Sequence, residues 1–123
     1  MIQAVWFEIP VMDLERAMKF YQAVFDLPPT EISTDDIRRT TTLFPGNAEG
    51  AAGISLNQTQ NFPPSDHGPL VYLDASPDLT PVLQRVEPAG GKVVEGKTSM
   101  GAAGCYATFL DTEGNLLALY SPA

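Results

Sequence analysis

An α+β protein built from a repeated unit is predicted by three features of the sequence. An apolar strand, an amphipathic helix and further strands follow one another in that order twice along the 123 residues. The pair Asp13-Leu14 returns 65 residues later as Asp78-Leu79, at the start of each helix. Between the two units, the stretch from Gln58 to Gly68 is polar and contains Pro63-Pro64, which reads as a linker. The chain therefore divides into 1–57, 58–68 and 69–123, within the ~100–150 residues usual for one compact domain.

Composition narrows the function classes. With 44% hydrophobic and 18% charged residues, there is enough apolar side chain for a core and too little charge for wholesale disorder. Fifteen acidic against 7 basic side chains give a net charge of -8. Nucleic acid and anionic membrane surfaces are thereby excluded as expected partners, because both are bound through clustered Lys and Arg. A single Cys rules out an internal disulfide, and no apolar run approaches the ~18 residues of a membrane span. Met1 to Ala4 does not begin a basic region followed by an apolar stretch, so a cytoplasmic location is expected. The one histidine, His67, excludes a zinc site of three histidines, or an iron site of two histidines and a carboxylate, within one copy of the chain.

In the first unit, Ala4 to Ile9 is a short run rich in β-formers. Leu14, Ala17, Met18, Tyr21, Val24 and Phe25 then recur at helical spacing, with Asp13 placed to cap the helix and Leu27-Pro28-Pro29 to stop it. Arg38 to Phe44 is a Thr-rich strand, Pro45 to Gly53 a Gly/Ala loop and Ile54 to Asn57 another strand.

The second unit opens with an apolar strand over Pro69 to Leu73. Its helix carries Leu79, Val82, Leu83 and Val86 at helical spacing, starting from Ser76-Pro77 or from Thr80-Pro81 as cap and first residue, and ends at Gly90-Gly91. A strand starts over Lys92 to Glu95. Cys105 to Leu110 pairs with Asn115 to Tyr120 across a three-residue loop ending in Gly114, which suits a type I turn closed by a G1 bulge with Asp111 opposite Asn115. Counting outward sets Leu110 opposite Leu116, Thr108 opposite Ala118 and Tyr106 opposite Tyr120 on one face. Ala107, Phe109, Leu117 and Leu119 fall on the other, which is uniformly apolar and belongs under a helix. The first face is mixed and suits a cavity wall. Cys105 has the parity of the helix side and reads as a small buried hydrophobe rather than a reactive thiol.

Two stretches carry a resemblance. Phe7 to Ala17 with Phe20-Tyr21, and Phe109-Leu110-Asp111-Thr112-Glu113-Gly114-Asn115, resemble the opening and closing motifs of the vicinal oxygen chelate superfamily, which includes glyoxalase I, bleomycin-resistance proteins and extradiol dioxygenases. Gly90 to Val94 and the stretch from Gly101 to Gly104 look like an uncharacterised bacterial glyoxalase-related branch. The resemblance runs in order through nearly the whole chain. It implies an α+β architecture of two βαβββ modules whose mixed sheets curl around a central cavity with the helices outside, the halves belonging to one chain or exchanged across a homodimer. One fold of this kind hosts several chemistries, so the reaction does not follow from it.

Metal-dependent members take one ligand from the first and last strand of each module. Carried across by motif, these positions hold Trp6, Ser55, Pro69 and Ala118, none of which is His, Glu or Asp. Indole, pyrrolidine and methyl groups offer no metal lone pair, and a lone neutral hydroxyl is a poor ligand. Glu8 and His67 lie two residues from Trp6 and Pro69, but each is displaced by about 6.6 Å along its strand, and in opposite directions. No metal or other cofactor is therefore expected.

Trp6 reads either as a flat stacking wall or as a plug in the vacated metal space. Glu8, on a strand read as buried, is expected to be paired, with Arg38 or Arg39, or to act as a general base. Ser55 and Asn57 share the inward parity. His67 reads as a solvated loop residue. No serine or thiol nucleophile has a histidine in sequence context, and Gly101 to Gly104 lacks the helix and lysine of a phosphate loop. The leading expectation is a metal-free small-molecule-binding protein, holding an apolar or aromatic compound against Trp6, Tyr106, Ala118 and Tyr120, with Glu8, Ser55, Asn57 and Thr108 supplying polarity. The alternative is a glyoxalase-like lyase or isomerase with an off-pattern metal site or with Glu8 as base. A third is an interaction module with a collapsed cavity.

Overall fold

In a computed structural model describing residues 1–123, each half of the chain folds as strand, helix and three strands. The first half comprises β1 (Trp6–Pro10), α1 (Leu14–Phe25), β2 (Ile32–Thr34), β3 (Arg38–Phe44) and β4 (Gly53–Thr59). The second comprises β5 (Tyr72–Asp74), α2 (Thr80–Val86), β6 (Lys92–Ser99), a single 3₁₀ turn (Gly101–Ala103), β7 (Cys105–Leu110) and β8 (Leu116–Ser121). Two mixed four-stranded sheets result, ordered β1-β4-β3-β2 and β5-β8-β7-β6, in which the first strand of each module runs parallel to its last. The α+β, twice-βαβββ expectation holds; neither sheet closes into a barrel.

Both modules close their parallel pair in the same way. The Val11 amide donates to the Asn57 carbonyl (3.1 Å) and the Ala75 amide to the Tyr120 carbonyl (2.7 Å), each immediately beyond the first strand. Alternation then divides each sheet into two faces. On the helix side, Ile9 and Leu56 of the first sheet and Ala107, Phe109, Leu117 and Leu119 of the second are buried and join residues of both helices in one core. Phe20 of α1 reaches Phe109 of β7 with ring centroids 6.0 Å apart, so the first module's helix is part of the second module's packing. Burying each such ring from water contributes about 1.5–3 kcal/mol.

The last hairpin has the expected register, Leu110 opposite Leu116, Thr108 opposite Ala118 and Tyr106 opposite Tyr120. Its loop closes through the Asp111 amide, which donates to the Asn115 carbonyl (3.0 Å), and Gly114 takes the positive φ of +88° that the turn demands. Asp13 caps α1 by accepting from the Arg16 amide (3.1 Å).

Several boundaries differ from the sequence reading. α1 ends in a left-handed residue, Asp26, whose amide bonds back to the Gln22 carbonyl, before the two prolines are reached. α2 takes the later of its two possible starts, with Pro81 in the first turn. Thr80 is the first helical residue rather than the cap, and Asp78 accepts from its amide at 2.9 Å. β5 begins at Tyr72, not Pro69. β2 was not expected; it is a three-residue edge strand, exposed throughout, and so lacks the apolar alternation that would reveal it.

The opening and closing motifs turn out to be one structural joint. The buried Asp111 carboxylate accepts from the Tyr21 hydroxyl (2.6 Å), the Asn115 side-chain amide (3.0 Å) and the backbone amides of Glu113 and Asn115. Asn115 in turn donates to the Pro10 carbonyl at 2.8 Å. Beside it, Glu113 accepts from the Met12 and Asp13 amides (2.9 and 3.0 Å) and forms a two-pronged ion pair with Arg16 (2.8 and 2.9 Å). The turn of the second module thus satisfies the backbone entering the first module's helix.

Candidate functional site

Opposite the core, the first sheet presents Trp6, Glu8, Ser55 and Asn57. Their backbones are fixed by the register that pairs Trp6 with Gly53 and Glu8 with Ser55, continued across β3 by Thr42 and Thr40. The indole lies sideways across Gly53, where a Cβ would stand 2.2 Å from the ring. Its Nε1–H donates to the Ser55 hydroxyl at 3.1 Å. Trp6 therefore does not plug the interior: it is 44% exposed and shows a ring to solvent. Glycine at position 53 is what allows the ring to lie there. Nothing in the sequence marks Gly53, because its role depends on a neighbour 47 positions away that only the sheet brings close.

Glu8 is exposed, and the strand's cavity face is open rather than buried. Its carboxylate accepts from the Asn57 side-chain amide at 2.9 Å, while the Asn57 oxygen accepts from the Thr59 hydroxyl. Neither arginine expected as its partner pairs with it. Arg39 points to the helix side and binds Glu15 of α1 (2.6 Å), and Arg38 faces Asp35 at 3.9 Å. The Asp35 carboxyl is held below its ordinary range by accepting from the Ile37 and Arg38 amides. Trp6, Glu8, Ser33, Asp35, Arg38 and Ser55 border a polar cleft of about 260 Å³, and a second of about 360 Å³ adjoins it over Asn57 and Phe62.

The corresponding face of the second sheet carries Tyr72, Tyr106, Thr108, Ala118 and Tyr120, and none of Tyr106, Thr108, Ala118 or Tyr120 lines these clefts. Ala118 is fully buried. The Tyr120 hydroxyl donates to the Ala103 carbonyl (2.7 Å), holding the 3₁₀ turn. Tyr106 donates to Glu95 (2.9 Å), and that bond to a carboxylate, with its negative charge nearby, raises the phenol's pKa. Glu95 also takes a long bond from Thr108, at 3.3 Å. Sequence reasoning missed Glu95 because β6 carries register shifts on both sides of it, so that counting by twos from Val93 assigns it the wrong face.

The metal positions need one correction. Counting back from Ala75 as from Val11, the counterpart of Trp6 is Leu70; Pro69 lies outside β5 and off its parity. Leu70 offers no lone pair either. His67 is in the linker, its side chain 89% exposed and in contact with Asp66 at 2.5 Å. Trp6 and Ser55 are bonded to each other, and no three His, Cys, Asp or Glu side chains stand together. The residues at these positions do not fit a divalent cation. Cys105 is half-buried against the core, in keeping with its parity.

On the helix side of the same first sheet is a different hollow, of about 430 Å³. Phe7, Leu43 and Ile54 form its floor, Phe25 and Leu27 at the end of α1 one wall, and Val71 with Leu73 of the β5 segment the other.

Two strand-helix-strand-strand-strand modules joined through their terminal motifs define a vicinal-oxygen-chelate architecture. The chain belongs to the Glyoxalase/Bleomycin resistance protein/Dioxygenase superfamily, whose model matches residues 3–119. Solved structures share the fold. A hypothetical protein from S. aureus is 23% identical with a TM-score of 0.64, over 98% of this chain and 94% of its own. A glyoxalase-related enzyme from Fulvimarina pelagi is 15% identical with a TM-score of 0.74, over 98% and 88%. Glyoxalase I from Zea mays is 21% identical with a TM-score of 0.69, over 95% of this chain and 45% of its own. No curated protein matches the chain. No helix is long and apolar enough to cross a membrane.

Proposed function

We propose that the protein is a metal-free small-molecule-binding member of this superfamily. It holds an aromatic group of its ligand flat on Trp6 and orients polar groups through Glu8, Ser55 and Asn57. The observation that carries this reading is the half-exposed indole laid across Gly53 and fixed by Ser55, a rigid aromatic surface bordered by a carboxylate and hydroxyls. The cavity is completed in a homodimer, where a second copy covers this face and brings its own Tyr106 and Tyr120 toward the ligand. The exposure of Trp6 and of Tyr72, which is 51% exposed, supports that closure.

Trp6 is the only tryptophan, so its fluorescence reports directly on the site. Screening aromatic compounds by quenching in the presence of a chelator is expected to give saturable binding, weakened at least about tenfold in Trp6→Phe as measured by calorimetry. Binding that requires an added divalent ion, or glutathione-dependent turnover of a 2-oxoaldehyde that disappears in Glu8→Gln, would overturn the reading in favour of a lyase.

A further inference from the structure

The hollow lies on the helix side of the first sheet, across the sheet from Trp6, and none of Trp6, Glu8, Ser55 or Asn57 lines it; Tyr72, at its rim, is the one residue also invoked for the closure of the Trp6 face. The hollow exists because α1 is too short for its sheet. The helix ends at Phe25, Asp26 turns the chain in a left-handed conformation, and Pro28-Pro29 continues it away. Beyond that point Phe7, Leu43 and Ile54 have no helix above them. The β5 segment supplies the opposite wall through Val71 and Leu73, and the Gly/Ala loop before β4 supplies only Ala51 and Ala52 there, too small to fill the space.

Three properties describe an occupant. The volume, about 430 Å³, lies within the ~300–1,000 Å³ of small-molecule pockets and the hollow has walls on opposing sides, so it is a pocket rather than a flat surface for a protein. Thirteen of its 14 lining residues are apolar and none is basic, so an anion would be desolvated there without a counter-charge. Of the polar side chains in the lining, the Tyr21 hydroxyl is committed to Asp111 at 2.6 Å and the Asp74 carboxylate accepts from the Ser76 amide and hydroxyl, while Tyr72 and Asp74 are both exposed positions of β5, so the polar groups stand at the rim and the interior is apolar. We infer that this hollow is a second binding site, independent of the Trp6 face, for an uncharged apolar or aromatic small molecule. The complementarity is one of shape and apolar surface: the fourteenth lining residue is the carboxylate Asp74, so the pocket selects by excluding anions and strongly hydrated compounds.

The test uses N-phenyl-1-naphthylamine, a neutral dye that brightens in apolar surroundings, with the anionic anilinonaphthalene sulfonate as contrast, on the full-length protein. The neutral dye is expected to bind saturably at one site per chain and the anionic one at least about tenfold more weakly. Ala52→Leu, which fills the pocket, and Leu27→Glu, which places a carboxylate in its wall, should each lower the neutral dye's affinity about tenfold or more while circular dichroism and sedimentation are unchanged. Trp6→Phe should leave it unaltered. Dye affinity that follows Trp6→Phe instead would place the dye on the other face and overturn this inference while supporting the proposed function. No saturable binding, or undiminished binding in both folded pocket variants, overturns it as well. So does loss of a dimer in Ala52→Leu by sedimentation, which would make the hollow an interface between copies.

Discussion

The two modules repeat one backbone and diverge in nearly everything the side chains do. Both close a parallel strand pair through the amide just beyond the first strand, yet the register sets Glu8 opposite Ser55 in one and Tyr72 opposite Ala118 in the other. In the first module a 12-residue helix, capped by the Asp13 carboxylate, buries Leu14, Ala17, Phe20, Tyr21 and Val24. In the second a 7-residue helix buries Val86 alone, and its cap residue Leu79 makes no side-chain bond. The difference teaches that the architecture is maintained by backbone pairing and by the joint between the modules, which leaves the cavity faces free to change. The first module has become a polar face around one tryptophan. The second has turned its inward groups onto one another, Tyr106 onto Glu95 and Tyr120 onto the 3₁₀ turn.

If the joint holds two unlike modules together, breaking it should have the largest effect. Asp111→Ala leaves the Tyr21 hydroxyl, the Asn115 amide and two backbone amides without their acceptor, and should cost about 3–4 kcal/mol by urea unfolding. A loss below about 1 kcal/mol would mean that the modules are held by their shared core alone.

Glu113→Gln comes next, at about 2 kcal/mol, since charge-assisted bonds from Arg16 and two amides weaken together. Burial pushes this carboxyl up, but the bonds from Arg16, the Asp13 amide, Thr112 and the Met12 amide outweigh it and hold its pKa at about 2 against an ordinary 4.5. A carboxyl depressed in the folded state stabilises fully above the unfolded value, and that stability is lost as pH falls from about 4.5 toward 2. The melting temperature of the natural protein should drop across this window more steeply than that of Glu113→Gln. Parallel pH profiles would show that Glu113 does not couple the modules in the charged form.

What the sequence disclosed follows the same division. The hairpin from Cys105 to Tyr120 is legible down to its register, because strict alternation meets a turn whose glycine position fixes the loop. Trp6, Glu8, Ser55 and Asn57 were placed on one face by parity alone. Glu95 was not found, since bulges break the count. The pairing assumed for Glu8 failed because burial of its strand was inferred from one face only, and the other stands open. The apolar hollow depends on where α1 ends relative to β5, a distance that no local pattern encodes.

Gly53→Val tests whether the first module's face depends on the indole's position. The new side chain would occupy the space of the ring, forcing Trp6 off the sheet and breaking its bond to Ser55, at a cost of about 1 kcal/mol. Fluorescence should shift to the red and aromatic ligand binding should fall as far as in Trp6→Phe. Unchanged binding would assign the ligand to another surface.

The smallest effect separates the two helices. Asp13→Ala removes the side-chain cap of α1 and should cost about 1 kcal/mol. Asp78→Ala removes an acceptor from the Thr80 amide and from Lys97 at a half-exposed position, and should change the unfolding midpoint less. The reason lies in the packing. α1 is the element through which Phe20 and Tyr21 reach the second module, so fraying its first turn loosens a contact that both halves share. α2 is held by the turn that follows it, where the Gly91 amide returns to the Val86 carbonyl at 3.0 Å, and by the buried Ser121 hydroxyl, which accepts from the Leu79 amide at the same distance. Equal losses in the two variants would show that α1 has no such special place, and that the asymmetry between the modules is confined to their cavity faces.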